Sequence, residues 1–244
     1  GSAVSPFLFP APSPSSYDRN QFPDHLLWIP RPLTSDLVDK IPCLFFSHPT
    51  ATHLIIYCHG NACDLGNIQL ELASYCEYLK VYILALEYPG YGISECPEAA
   101  SEDSINTNLA HVFAYLTQIL KFPSDRIIFM GRSIGSGPTC RISAEVCSKN
   151  VVLGGVILHS AYTSIKEVVK DLVGGVASAL IWDRWRNINE VPKLTCPVLL
   201  IHGAKDELIP PAHADQLFAA CANVPEQHKT LYMSKTADHN IFNL

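Results

Sequence analysis

The chain has 244 residues, a length read here as a single α/β domain over 1–244. Apolar residues make up 48% and charged residues 16%, which excludes a disordered chain and supplies a large core. A formal net charge of −6, with no cluster of Lys and Arg, excludes a nucleic-acid partner.

Gly1 and Ser2 read as a cloning scar, and the Pro-, Ser- and Ala-rich stretch up to residue 16 as an extended lead-in. No charged region followed by an apolar core marks a secretory signal. The longest apolar runs are strand-sized, short of the roughly 20 residues of a membrane span. Residues 26–29 and 43–47 predict an antiparallel pair of strands. Short all-apolar runs follow at 53–58, 81–86, 126–130, 155–159, 197–202 and 229–233. They lack polar alternation, as strands covered on both faces do.

Between the first two runs, Leu65, Ile68, Leu72, Cys76 and Leu79 mark one face of a helix. Ser101 is a good N-cap, with Glu102 and Asp103 in the first turn. Ile105, Leu109, Val112, Leu116 and Leu120 continue that helix on one stripe. The alternation predicts a mostly parallel central sheet with helices on both faces. Residues 162–191 are longer than a crossover needs and predict one or two helices inserted over the active site. Their apolar side chains, Val168, Val169, Leu172, Val173, Leu180, Ile181, Trp182 and Trp185, suit either an acyl groove or an ordinary core face. Nine scattered cysteines without a C-x-x-C pair read as reduced thiols of a cytosolic protein, and no metal site is expected.

Four signals carry chemistry. Gly131-Arg132-Ser133-Ile134-Gly135 follows an apolar run and precedes a helical stretch. In that context the pentapeptide predicts a sharp strand–helix turn that lifts the Ser133 hydroxyl clear as a nucleophile. Its flanking glycines relieve crowding, and the helix start favours a developing negative charge. His59-Gly60-Asn61-Ala62, after an earlier strand, predicts a loop supplying an oxyanion donor. The donors assigned are the N–H groups of Asn61 and Ile134, and His59 is read as structural. Asp206 follows the 197–202 strand and a glycine turn, as the acid that orients the base, with Glu207 its rival. His239 follows the last strand as general base, with His213 and His228 as rivals. Serine, acid, base is the chain order of one hydrolase fold.

Together these motifs resemble the α/β-hydrolase superfamily over essentially the whole chain. The strings His59-Gly60-Asn61-Ala62-Cys63-Asp64-Leu65-Gly66, Glu87-Tyr88-Pro89-Gly90-Tyr91-Gly92, Arg132-Ser133-Ile134-Gly135 and Leu158-His159-Ser160 resemble the bud-emergence-related (Bem46-like) serine hydrolases, and within them the α/β-hydrolase-domain group 17. That group's members are protein depalmitoylases, and its triad falls on Ser133, Asp206 and His239. The resemblance implies an acylated protein or small acyl ester as substrate. It implies no cofactor, and a cytoplasmic protein held peripherally on membranes. There are departures. The group's N-terminal acylated cysteine cluster and the helix after its histidine have no counterpart in this sequence. Position 132 is Arg where the group often has Gln, and 162–191 does not match in detail. A serine peptidase or general carboxylesterase of the same fold, and a binding protein that has lost catalysis, are the alternatives.

Overall fold

The computed structural model describes residues 9–32, 38–96, 98–178 and 182–240. Gly1, Ser2, the first part of the lead-in, Leu180 and Ile181 lie outside the described residues. The chain forms two compact units, Gly1–Ile127 and Ile128–Leu244.

In the first unit, β1 (Leu26–Pro32) pairs antiparallel with β2 (Val38–Phe46). β3 (Leu54–Cys58) lies parallel to β4 (Tyr82–Leu86), and β4 pairs antiparallel with β2. Every residue of β3 is buried, which is why its sequence shows no polar alternation. Helix α1 (Leu65–Leu79) starts at a capping box, in which Asp64 accepts from the Asn67 N–H and Asn67 reaches back to the Asp64 N–H. Leu65, Ile68, Leu72 and Cys76 are buried, but Leu79 is 53% exposed. A strict 65–72–79 spacing drifts by about 20° per heptad away from the buried face.

Helix α2 (Glu102–Ala114) starts at Ser101, whose hydroxyl accepts from the Ser104 N–H, with Glu102 and Asp103 in the first turn. The helical segment does run on toward Leu120 as expected, but its last turn, Tyr115–Ile119, is a wide π turn. The extra residue in that turn rotates the end of the segment, so Leu116 stays buried and Leu120 faces solvent.

In the second unit, β5 (Ile127–Arg132), β6 (Gly155–His159), β7 (Val198–Gly203) and β8 (Lys229–Ser234) run parallel in that order. Helix α3 (Ser136–Ser148) follows β5 after one tight turn. The expected insertion contains α4 (Ile165–Val173), capped by Ser164, and short turns at Gly175–Ser178 and Asn187–Glu190. Its apolar residues differ in burial. Trp185 is buried, whereas Leu172, Val173 and Trp182 are exposed. Helix α5 (Ala212–Ala220) precedes β8. Seven of the nine cysteines are buried. Among the described residues, no helix is long and apolar enough to cross a membrane.

Candidate active site

β5 ends at Arg132 and the chain turns sharply into α3. Ser133 occupies that turn with φ +52°, the left-handed region that side-chain-bearing residues avoid. The turn is tight. A Cβ added to Gly131 would collide with the Gly135 carbonyl oxygen and lie 2.5 Å from Thr139 Oγ1. The first glycine of the pentapeptide is therefore required by close approach of two backbone segments. The Ile134 N–H sits in the opening turn of the helical segment, where N–H groups lack intrahelical acceptors and favour negative charge.

Asp206 lies just beyond β7. Its Oδ1 accepts from the N–H groups of Leu208 and Ile209, at 3.0 and 2.8 Å. Its Oδ2 is 2.8 Å from His239 Nδ1. Burial alone would raise the carboxyl pKa. The hydrogen bonds from His239 and the Ile209 N–H override it and hold the group below its ordinary value, so it is an anion at neutral pH. A carboxylate facing Nδ1 places the ring proton there. Nε2 is then an acceptor, and Ser133 Oγ lies 3.1 Å from it. The three side chains form one hydrogen-bonded chain, with Asp206 and His239 buried and all three within the second unit.

Gly203 makes this possible. A Cβ there would meet the Ala237 carbonyl oxygen at 2.5 Å, so the end of β7 and the His239 loop pass in contact. The Lys205 N–H donates to that same carbonyl at 3.0 Å. On the nearby strand ends, His202 Nε2 donates to the Ile209 carbonyl at 2.8 Å, and burial lowers the pKa of this ring. His159 is pushed down to about 3, first by burial and then by the Arg132 charge.

The 162–191 segment grips the start of α3. Tyr162 donates its hydroxyl proton to the Ile134 carbonyl at 3.2 Å. Asn187 Nδ2 donates to Ser136 Oγ and to the Tyr162 carbonyl. The Trp185 indole packs so closely on Gly137 that a Cβ there would collide with it. Sequence reasoning named Trp185 among the apolar residues of the insertion but missed Tyr162 and Asn187. The one signal was the small-residue run Gly135-Ser136-Gly137 at a helix start, which marks close approach by another segment.

The first unit holds the other expected loop. Asn61 follows β3, and its side chain accepts from the Tyr91 hydroxyl at 2.9 Å. His59 is fully buried, with Nδ1 facing the Gly60 carbonyl at 2.8 Å and Nε2 facing Glu87 at 3.1 Å. Two acceptors require two ring protons, so this histidine is an imidazolium. Burial alone would lower its pKa, but the Cys63 thiol and the Glu87 carboxylate raise it to about 10. Glu87 also accepts from the Tyr17 hydroxyl and the Leu65 N–H. Gly92, at φ +51°, leaves room for that carboxylate; a Cβ there would collide with Glu87 Oε2.

No family profile matches the chain. Alpha/beta hydrolase domain-containing protein 17B of Xenopus tropicalis is 30% identical over 184 residues, 75% of this chain and 60% of that protein. Alpha/beta hydrolase domain-containing protein 10 from mouse superposes at a TM-score of 0.61 with 17% identity, over 88% of this chain and 90% of its own. A Pyrococcus furiosus esterase superposes at 0.64 with 15% identity, over 88% and 83%. The chain has the α/β-hydrolase fold. It spans about 60% of the length of the curated 17B proteins it matches.

The rival residues are placed elsewhere. Glu207 and His228 face solvent. His213 accepts the Thr163 N–H on Nδ1 at 3.1 Å and donates from Nε2 to Asp171 at 2.9 Å, which ties α4 to α5.

Proposed function

We propose that this chain is a serine hydrolase that cleaves fatty-acyl thioesters of proteins, a palmitoyl-protein thioesterase. The observation that carries the hydrolase reading is the hydrogen-bonded chain Ser133–His239–Asp206 on a left-handed serine. His239 takes the hydroxyl proton as Ser133 Oγ attacks the acyl carbonyl, and Asp206 stabilises the imidazolium. The Ile134 N–H is the oxyanion donor of the second unit. The proton passes from His239 to the departing thiolate, and water then releases the fatty acid from the acyl-serine. Losing one oxyanion donor costs about 3 kcal/mol, a hundredfold or more. The thioester preference, an acylated protein partner and peripheral attachment at the cytoplasmic face are supported by the resemblance to group 17 and by the likeness to protein 17B.

The test is labelling by a fluorophosphonate probe, followed by assays on a palmitoyl-peptide thioester, a p-nitrophenyl ester and an unmodified peptide. The expected outcome is one adduct on Ser133, thioester turnover, and loss of both in Ser133→Ala, with kcat down by about 10⁴ or more. An unlabelled wild-type protein overturns the serine-hydrolase reading. Labelling with turnover of the ester or the peptide but not the thioester overturns the substrate class alone.

A further inference from the structure

Arg132, between Gly131 and Ser133, has no part in the steps above. It ends β5, paired in register with His159 of the parallel β6. Its side chain is half-buried and makes no ion pair among the described residues. Its Nη2 instead donates to the main-chain carbonyl of His239 at 3.0 Å. The guanidinium, which could pair with a carboxylate, is used here on a neutral main-chain carbonyl.

The location of that bond gives it meaning. The turn after β7 donates two main-chain bonds, from the Ala204 N–H to Ser234 at the end of β8 and from the Lys205 N–H to Ala237 in the loop beyond it. Both fall before residue 239. The bond from Arg132 falls on residue 239 itself and comes from the strand that carries Ser133. β6 and β7 lie between β5 and β8, and the loop after β8 brings residue 239 within reach of both Ser133 Oγ and the Arg132 guanidinium.

We propose that Arg132 is a positioning residue that clamps the His239 backbone to the serine strand, keeping Nε2 within hydrogen-bonding distance of Ser133 Oγ. The inference rests on the serine-hydrolase reading and adds a residue to it. The 3.1 Å contact between base and hydroxyl is the longer of the two bonds in the chain, and a shift of about 1 Å is enough to cost about a hundredfold. Lysine keeps the length and one donor; methionine keeps the apolar stem and loses the donor; glutamine keeps a donor and loses the reach.

The experiment compares Arg132→Met, Arg132→Lys and Arg132→Gln with wild type by fluorophosphonate labelling rate, ester kcat and KM, and thermal unfolding. The expected result is a Met variant that melts near wild type, with labelling and kcat about ten- to a hundredfold down and KM within about twofold. The Lys variant recovers most of the rate and the Gln variant little of it. Wild-type labelling and kcat in the Met variant overturn the inference, as do equal losses in Met and Lys. Should the Met variant fail to fold, the contrast between Lys and Gln decides in the same way. If wild type itself is unlabelled, the hydrolase reading falls and this inference with it.

Discussion

The most buried charge in the first unit is the His59–Glu87 pair, in which neither side chain is exposed. Tyr88 stacks on the imidazolium at 3.9 Å between ring centroids and donates its hydroxyl proton to the His59 carbonyl. The pair therefore fixes the backbone from which Gly60 and Asn61 continue. A histidine raised to about 10 in the folded state, against roughly 6.5 unfolded, binds an extra proton between those values. Its contribution to stability is complete below the unfolded value and is lost as pH rises through the folded one. Urea unfolding between pH 6 and 10.5 should show that loss, and Glu87→Gln should remove this component of it while destabilising by about 3–5 kcal/mol. His159 has the opposite sign. Depressed to about 3, it contributes fully above its unfolded value and loses that contribution as pH falls toward 3.

At the scale of elements, the insertion is divided. Tyr162, Trp185 and Asn187 lock onto α3, while Leu172 and Val173 at the end of α4 are left in water. On the thioesterase reading proposed above, this exposed apolar pair would cover part of the alkyl chain, at roughly 0.8 kcal/mol per methylene buried. Leu172→Asp with Val173→Asp should lower turnover of a palmitoyl thioester about tenfold or more and leave an acetyl ester unchanged. Equal effects on both chain lengths would remove these residues from substrate recognition. β3 and β6 were legible in the sequence because burial on both faces leaves unbroken apolar runs, whereas β8, also read as covered on both faces, leaves Thr230 and Tyr232 exposed. The end of α2 was not legible, since the sequence of Tyr115–Ile119 fits an α-helical stripe as well as a π turn. The role of 162–191 was legible only as surplus length. Its contacts depend on which small residues of α3 it meets, and tertiary packing alone decides that.

For the molecule as a whole, the readable part of the site is the part set by strand ends. Ser133, Asp206 and His239 follow β5, β7 and β8 within one unit, and a parallel sheet gathers such ends on one side. The supporting contacts were not readable, because Gly203 against Ala237 and Arg132 against His239 join residues with no shared periodicity. The left-handed backbone at residue 133 has one more implication. Strain of about 1–3 kcal/mol at a single residue is a standing disadvantage that glycine or asparagine would relieve. Under relaxed selection, drift should remove this serine early, since stability alone favours its replacement. Related chains that retain serine in this turn would thus be the ones still under pressure to turn over a substrate. Those with glycine there would be candidates for a life as scaffolds.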